Sequence, residues 1–320
     1  MAKTLDTEKL RTEIIALLME FEEKSQAPDL RERVRHLIPV KKSLQNLGKS
    51  LLSDSSKLSA SNRILKYLRA YPSEVIEGDE LMVVAGISEY ARRIRELRRE
   101  EGWPILSGMT ARAMRSEAEE LGLPPEEAAP PMKPNEYLLV EDAQDREAAH
   151  RWHVANRIRK SKKGLQAKLL EYFRENVGQR LSSEELAYIA GKATSWARRT
   201  RELRTEEGWP IVTRFSGDPS LPMGTYVLAE DRQSPAHDRH IPELTRRAVM
   251  QRDNWSCRWN KCGWPTGYDT TLDHRFLETH HIEEHAQGGE NIERNLITLC
   301  NLHHDEVHRG KALQVEELSS

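Results

Sequence analysis

In the first 58 residues of this chain, apolar and charged residues recur at the spacing of an α-helix. Between Leu10 and Phe21 the apolar residues recur three or four positions apart, and a second such set runs from Leu30 to Leu37 and is broken at Pro39. This spacing places the apolar side chains on one face of each helix. Residues 1–58 are therefore predicted to be helical, and either to pack on the next module or to serve self-association.

A longer pattern occurs twice in the middle of the chain. The sequence RRIRELRREEGWPI from Arg92 to Ile105 recurs as RRTRELRTEEGWPI from Arg198 to Ile211. Self-similarity of this kind indicates a duplicated module. Further matches flank the two copies: Ile64–Leu68 with Leu169–Phe173, and Tyr137–Asp142 with Tyr226–Asp231.

The pattern within each copy predicts helix, helix, helix, strand, wing and strand. The third helix starts at Ser88 or Thr194 and ends at Gly-Trp-Pro, a sequence that stops helices. This order is similar to that of a winged helix, a relative of the helix-turn-helix, and the resemblance implies that the third helix enters a DNA major groove. The two wings differ, because the first carries an insertion with a helical stretch, 109–133, whereas the second, 215–224, is compact.

The third helices are rich in arginine, and guanidinium groups can bind guanine edges or phosphates. Interleaved glutamates leave open the alternative of a solvated face held by salt bridges. The aromatic residues at the helix starts are candidates for either core packing or base contact. The candidate DNA-binding residues are Tyr90, Arg92, Arg95 and Arg99 in the first copy and Trp196, Arg198 and Arg201 in the second.

Length and composition bound the remaining possibilities. A chain of 320 residues is too long for one small domain, and its net charge of −2 does not by itself indicate nucleic-acid binding. No apolar run approaches the roughly 20 residues of a membrane span, so no membrane partner is predicted. An odd count of three cysteines and a polar amino terminus predict a reducing, cytoplasmic location.

All three cysteines lie in the last quarter of the chain. Cys257 and Cys262, together with Cys300 and His303, supply the two close pairs of soft donors that a tetrahedral structural zinc needs. A disulfide between two of the cysteines, or three free core thiols, are the alternatives.

The neighbouring histidines form a second set. His280 and His281 are adjacent and would point to opposite faces of a strand, whereas His304 and His308 share one face of a helix. A fold can thus bring His280, His304 and His308 around one cation while His281 activates a water. Phosphodiester hydrolysis needs this division between a cation and a neutral imidazole base.

The segment from about Arg246 to Arg309 resembles the HNH nuclease family, which has a ββα-metal core. Besides the histidines and cysteines, the matching residues are Arg252-Asp253, Gly288-Gly289 and Glu293-x-Asn295-Leu296. Many zinc-containing members have Cys where this chain has His303, and a swap of roles between His303 and His304 stays open.

The resemblance implies a role for each matched residue. His281 would be the general base, Asn295 would fix the loop, and His304 would close the motif as a metal ligand. His280, with His308 as a further ligand, would help hold a catalytic Mg²⁺ or Mn²⁺. His285 has no role in the motif and is expected in a solvated loop.

Together these patterns predict a mainly α fold with small β elements (α+β), in which tandem winged-helix modules precede a zinc-stabilised ββα-metal HNH domain. The predicted function is a metal-dependent endonuclease on double-stranded DNA. A DNA-recognition module joined to an HNH nuclease domain resembles bacterial restriction endonucleases, including modification-dependent ones. If the chain is modification-dependent, Tyr90 or Trp196 are candidates to line the pocket around a methylated cytosine. Cutting both strands favours a homodimer. The rival functions are a winged-helix regulator with a structural zinc domain and a mobile-element or homing HNH nuclease.

The predicted boundaries follow the same patterns along the chain. They are a helical region at 1–58, the first repeat at 59–142, a linker helix at 143–163, the second repeat at 164–232, a hinge at 233–242, the HNH domain at 243–312 and a tail at 313–320.

Overall fold

The computed structural model describes residues 6–125, 127–191, 193–234, 240–264, 275–283 and 289–314. The chain divides into two compact units: Met1–Gly108 with Met132–Ala149, and Met109–Pro131 with His150–Ser320. Helices predominate and the sheets are small, as the predicted α+β class requires. Within the described ranges, none of the helices combines the length and apolar composition of a membrane span.

The first unit begins with two helices that pack on each other, α1 (Thr7–Lys24) and α2 (Leu30–Ser50). Asp6 and Asp29 cap them, because each carboxylate accepts a hydrogen bond from a backbone N–H of the first turn. The predicted break at Pro39 is wrong, since α2 continues through it. Pro39 lies on the exposed side of the helix, where water can satisfy the carbonyl that loses its partner.

The first repeat combines three helices with a three-stranded antiparallel sheet. Its elements are α3 (Ala60–Ala70), β1 (Ile76–Glu77), α4 (Gly78–Ala85), α5 (Tyr90–Arg99), β2 (Ile105–Ser107) and β3 (Glu136–Leu139). The last strand lies in the middle of the sheet, in the order β1-β3-β2. Ile64, Leu68, Leu81, Ile94 and Leu97 are buried at its core. Each comes from an apolar position of the predicted helices.

Two further helices precede the second repeat, α6 (Gly108–Glu120) and α7 (Ala148–Arg159). α6 is the helical stretch predicted in the first wing. α7 occupies the predicted linker, yet Trp152 and Ile158 are buried, and Arg151 forms a buried ion pair with Glu185 at 2.9 Å. It packs as part of the second unit.

The second repeat has the same architecture as the first. Its elements are α8 (Leu165–Arg174), β4 (Leu181–Ser182), α9 (Ser183–Ala190), α10 (Trp196–Thr205), β5 (Ile211–Thr213) and β6 (Thr225–Leu228), with sheet order β4-β6-β5. Equivalent residues pair in both sheets. In the first repeat Ile76 pairs with Tyr137 and Ile105 pairs with Leu139. In the second repeat the corresponding pairs are Leu181 with Tyr226 and Ile211 with Leu228. The duplication seen in the sequence is therefore a duplication of structure.

Residues 109–131 of the insertion predicted in the first wing lie in the second compact unit. Glu117 of α6 lies 2.7 Å from Arg201 of α10, and Glu127 pairs with Arg247. Burial raises the pKa of Glu117 and outweighs the lowering effect of Arg201. Residues 109–131 thus contact α10 and the segment that follows it within the second compact unit.

The carboxy-terminal domain consists of α11 (Glu243–Arg252), β7 (Leu277–His281), β8 (Leu296–Cys300) and α12 (Asn301–His308), with a short turn at Glu293–Asn295 before β8. β7 and β8 are antiparallel, and His281 lies opposite Leu296. Arg204 of α10 pairs with Glu243 at 2.9 Å, and both side chains are buried.

The predicted hinge is tied to the second repeat at both of its described ends. Its residues 235–239 lie outside the described part of the chain. Before this gap, the Ser234 N–H donates to the Gly208 carbonyl, and after it the His240 N–H donates to Thr205.

Candidate metal centres and catalytic residues

Three cysteines and one histidine converge at the base of the ββα unit. Cys257 and Cys262 follow α11, Cys300 ends β8, and His303 lies in the first turn of α12. His303 Nδ1 lies 3.2 Å from Cys300 Sγ and 3.5 Å from Cys257 Sγ, and all four donor atoms are within 4.8 Å of one another. Zinc ligands in a tetrahedron are about 3–4 Å apart, so the Cys3His set fits a structural zinc.

The surroundings favour metal binding at this cluster. The hydrogen bond with the Cys257 thiol lowers the pKa of Cys300 and so favours its thiolate, the form that binds zinc. Trp259 stacks on His303 with ring centroids 4.8 Å apart and fixes the ring plane.

Three histidines form a second cluster on the other side of α12. His280 of β7 faces His304 and His308, and the Nε2 atoms of His304 and His308 are 3.1 Å apart. One nitrogen from each ring lies within 4.8 Å of the others. The spacing suits one cation held by three imidazoles, and His280 and His304 are buried.

The structure places two consecutive histidines, whose assignment the sequence left open, in different clusters. His303 lies with the thiols, and His304, one residue later, points into the histidine cluster. Successive positions on a helix are rotated by about 100°, so neighbours face different sites.

Glu278 is a candidate functional residue that sequence reasoning missed. It lies two positions before His280 on β7, hence on the same face of the strand. Its carboxylate is 2.8 Å from His304 Nδ1 and accepts a bond of 3.2 Å from Ser234 Oγ. Burial would raise the pKa of Glu278, but the charge and hydrogen bond of His304 lower it below its usual value. The carboxylate orients His304 so that Nε2 faces the cluster.

Replacing this carboxylate should weaken metal binding at the histidine cluster without removing a metal ligand. For Glu278→Gln we expect affinity for Mn²⁺ to fall by about 10- to 100-fold, the usual effect of losing a carboxylate behind a ligating histidine. Calorimetric titration of the zinc-loaded protein with Mn²⁺ measures this affinity. Glu306→Gln is the matched control, because Glu306 is on α12 but pairs outward with Lys311. Equal affinity in both variants would contradict the assigned role of Glu278.

Asn291 is a second residue that the sequence did not reveal. Its amide oxygen lies 2.7 Å from His281 Nε2, and its Nδ2 donates to the His240 carbonyl at 3.4 Å. An amide oxygen only accepts, so Nε2 carries a proton, and in the neutral ring Nδ1 then carries the lone pair. This tautomer presents Nδ1 as the basic atom.

Asn295 ties together the two ends of the loop between β7 and β8. Its Oδ1 accepts from the Glu283 N–H at 2.9 Å, and its Nδ2 donates to the carbonyls of Glu283 and Glu290. At Gly289 a Cβ would lie 1.9 Å from the Glu283 carbonyl oxygen, so this closure requires glycine. His285 lies outside the described residues.

The candidate DNA-binding residues of the first repeat lie on α5. Arg92 and Arg95 are exposed, and Arg92 donates to Glu96 at 3.2 Å. Arg99 is half-buried. Tyr90 is also half-buried and packs edge-on against Tyr137.

Their counterparts on α10 are placed differently. Arg198 is exposed and pairs with Glu202, but Arg201 is only 18% exposed and pairs with Glu117. Trp196 is 2% exposed and packs against Tyr226. Of its two predicted roles, this burial corresponds to core packing and not to base contact.

Protein-family models match both the two repeats and the carboxy-terminal domain. The family described as KpnI N-terminal domain matches residues 61–140 and 166–229, which are the two repeats, and the family described as HNH endonuclease matches residues 257–310. No curated protein and no solved structure is significantly similar. The two family matches show that this chain is a DNA endonuclease of the HNH type, with the amino-terminal domain of a restriction enzyme.

Proposed function

We propose that the chain restricts double-stranded DNA, with winged-helix repeats that read the site and an HNH centre that hydrolyses the backbone. The observation that carries the proposal is the histidine cluster of His280, His304 and His308 beside His281, which is itself oriented by Asn291. The repeats support the reading role, because the order helix, strand, helix, helix, strand, strand is that of a winged helix.

In the proposed reaction His281 is the general base. Its Nδ1 takes the proton of the attacking water, and the resulting positive charge is shared through Nε2–H with the Asn291 amide oxygen. Asn295 keeps the loop that carries Asn291 closed. A divalent cation bound by the three histidines would neutralise charge on the phosphate and the leaving oxygen.

The donor set bears on which of the two expected catalytic metals is used. Mg²⁺ prefers oxygen ligands and retains its waters, whereas imidazoles suit first-row transition metals. The centre presents three imidazoles. We therefore favour Mn²⁺ over Mg²⁺, and assign Zn²⁺ to the Cys3His site.

DNA reading is assigned mainly to the first repeat. On α5 the exposed guanidinium groups of Arg92 and Arg95 are accessible to phosphates and base edges, with Arg99 and Tyr90 beside them. On α10 only Arg198 is similarly exposed, since Arg201 is paired and Trp196 is buried. The second repeat then serves chiefly to join the reader to the nuclease domain.

Equivalent arginines of the two repeats provide a matched test. Arg95→Ala should weaken DNA binding and reduce the slope of log affinity against log salt by about one, because one phosphate contact is lost. Arg201→Ala, at the same position of the second repeat, should leave the slope unchanged and lower the melting temperature, because Glu117 loses its partner. Filter binding over a salt series without divalent cations measures the slopes, and thermal unfolding followed by circular dichroism measures the melting temperature. An unchanged slope for Arg95→Ala together with a reduced slope for Arg201→Ala would assign DNA recognition to α10 instead.

Cleavage of plasmid DNA tests the proposed function as a whole. The zinc-loaded protein is incubated with cytosine-methylated and unmethylated plasmid in Mn²⁺, Mg²⁺ or chelator. We expect double-strand breaks in Mn²⁺, fewer in Mg²⁺ and none with chelator, and preference for the methylated plasmid would establish modification dependence. Because the described part of one chain carries one cluster of three histidines, double-strand cleavage further implies two chains on the DNA. Salt-sensitive binding without cleavage in any metal would refute restriction and leave a regulator.

A further inference from the structure

The segment that leaves the second repeat is hydrogen-bonded to the carboxy-terminal end of α10 at two points. The Ser234 N–H donates to the Gly208 carbonyl at 2.7 Å, and the His240 N–H donates to the Thr205 carbonyl at 2.8 Å. Thr205 is the last residue of α10, where carbonyls lack a partner within the helix. We call the described residues 232–234 and His240, on either side of the gap, the connector.

A first path runs from the connector to the carboxylate behind the histidine cluster. Ser234 Oγ donates to Glu278 at 3.2 Å, and Glu278 lies 2.8 Å from His304 Nδ1. Arg232, also in the connector, donates to Asp305 at 2.7 Å, and Asp305 follows His304 on α12. Three successive hydrogen bonds thus lead from the end of α10 to one histidine of the cluster.

A second path runs from the connector to the residue that orients the candidate base. The His240 carbonyl accepts from Asn291 Nδ2 at 3.4 Å, and Asn291 Oδ1 lies 2.7 Å from His281 Nε2. The bond to His240 is long, so a small displacement of His240 would break it. This path too consists of three successive hydrogen bonds, counted from the Thr205 carbonyl. Both histidine sites are therefore connected to one helix end.

His240 has a backbone conformation that is unfavourable for residues other than glycine. Its φ is +65°, in the left-handed region, although its side chain is exposed. Such conformations persist where the surrounding structure imposes them, and they concentrate at functional sites. In this conformation the N–H bonds to α10 and the carbonyl bonds to the loop between β7 and β8. The strain thus lies at the point where the repeat meets the nuclease domain.

We propose that the connector positions the catalytic histidines from the second repeat, so that the repeat contributes to the rate of cleavage through these hydrogen bonds. Ser234 and His240 are then positioning residues, because each acts through a residue that orients a histidine. The inference rests on the proposed function and adds to it a part for α10 in the reaction. It gives a role to a third helix whose Arg201 and Trp196 are covered.

Two substitutions at His240 test the second path. Glycine adopts a φ of +65° freely and keeps both backbone bonds, so His240→Gly should cleave within about twofold of the native rate. Valine is β-branched and disfavours this region, so His240→Val should lower the single-turnover rate roughly 10- to 100-fold, as misplacement of a catalytic group does. DNA affinity without divalent cations should be unchanged in both variants. The ¹⁵N spectrum of the His281 ring should show loss of the Nε2–H tautomer in His240→Val alone.

Substitutions at Ser234 test the first path. Ser234→Ala should weaken Mn²⁺ binding in calorimetric titration by about tenfold, because Glu278 loses a hydrogen bond and orients His304 less firmly. Ser234→Thr retains the hydroxyl and should bind as the native protein does. Gln233→Ala is the matched control, since Gln233 donates to the Glu207 carbonyl and to neither orienting residue. It should change neither Mn²⁺ affinity nor rate.

Native Mn²⁺ affinity in Ser234→Ala, or an unchanged His281 tautomer in His240→Val, would overturn the proposal. So would a loss of DNA binding in proportion to cleavage, which would show that the connector is only structural. Failure of the nuclease function is distinguishable, because metal affinity and the tautomer are measured without cleavage. A protein that cleaves no DNA but shows both changes would refute the proposed function and leave the positioning role of the connector intact.

Discussion

His281→Ala is expected to reduce DNA cleavage by about 100- to 10,000-fold, the usual contribution of a positioned general base. His281 is 1% exposed, and its Nε2 bond to Asn291 fixes the ring, whereas alanine supplies neither the base nor this bond. His280, His304 and His308 are unchanged in this variant. DNA affinity and Mn²⁺ affinity should therefore both remain close to those of the native protein.

The measurement is single-turnover cleavage of a labelled duplex with enzyme in excess, so that product release does not limit the rate. His153→Ala is the control, since His153 is an exposed histidine on α7 outside both clusters. If His281→Ala cleaves at the native rate, another group is the base. If it loses DNA or metal binding in proportion to cleavage, His281 has a structural role.

Cys300→Ser is expected to unfold the HNH domain. Binding of a structural zinc contributes roughly 10 kcal/mol to the folding of small zinc domains, and serine cannot supply the thiolate. Cys300 is fully buried between β8 and α12, and the next helical turn carries both His303 and His304. Loss of zinc should therefore also disrupt the cluster of His280, His304 and His308 and abolish cleavage.

Zinc content by atomic absorption, together with fluorescence of Trp259 and Trp264 in this domain, measures the effect. Ser256→Ala, a change in the same loop outside the donor set, should keep one zinc and native fluorescence. The first repeat does not depend on this site and should still bind DNA through α5. A zinc-free Cys300→Ser protein that cleaves normally would show that the thiols have no structural role.

Local sequence patterns were sufficient for some features and not for others. The four-residue interval between His304 and His308 and the adjacency of His280 and His281 follow strand and helix periodicity, so their faces could be predicted. Glu278 obeys the same alternation and could have been found by asking which residue shares the face of His280. Asn291 lies in a loop, where no periodicity determines the direction of a side chain.

The contrast between the two repeats could not be predicted, because it arises from contacts distant in sequence. The third helices are nearly identical in sequence, and their Arg-Glu pairs have the same form in both copies. Arg95 is nevertheless exposed, whereas the equivalent Arg201 is covered by Glu117, more than 80 positions earlier in the chain. Similarly, the effect of Pro39 on α2 depends on which side of the helix is exposed.

The grouping of α6 with the second repeat has a consequence for protein engineering. In the sequence the first repeat resembles an exchangeable cassette, and a designer seeking a new cleavage site would replace it between residues 59 and 142. Such a replacement would also delete Glu117 and Glu127, leaving Arg201 and Arg247 without their carboxylates. A specificity graft is expected to succeed only if 109–131 is retained and the exchange is confined to the helices and strands on either side of it.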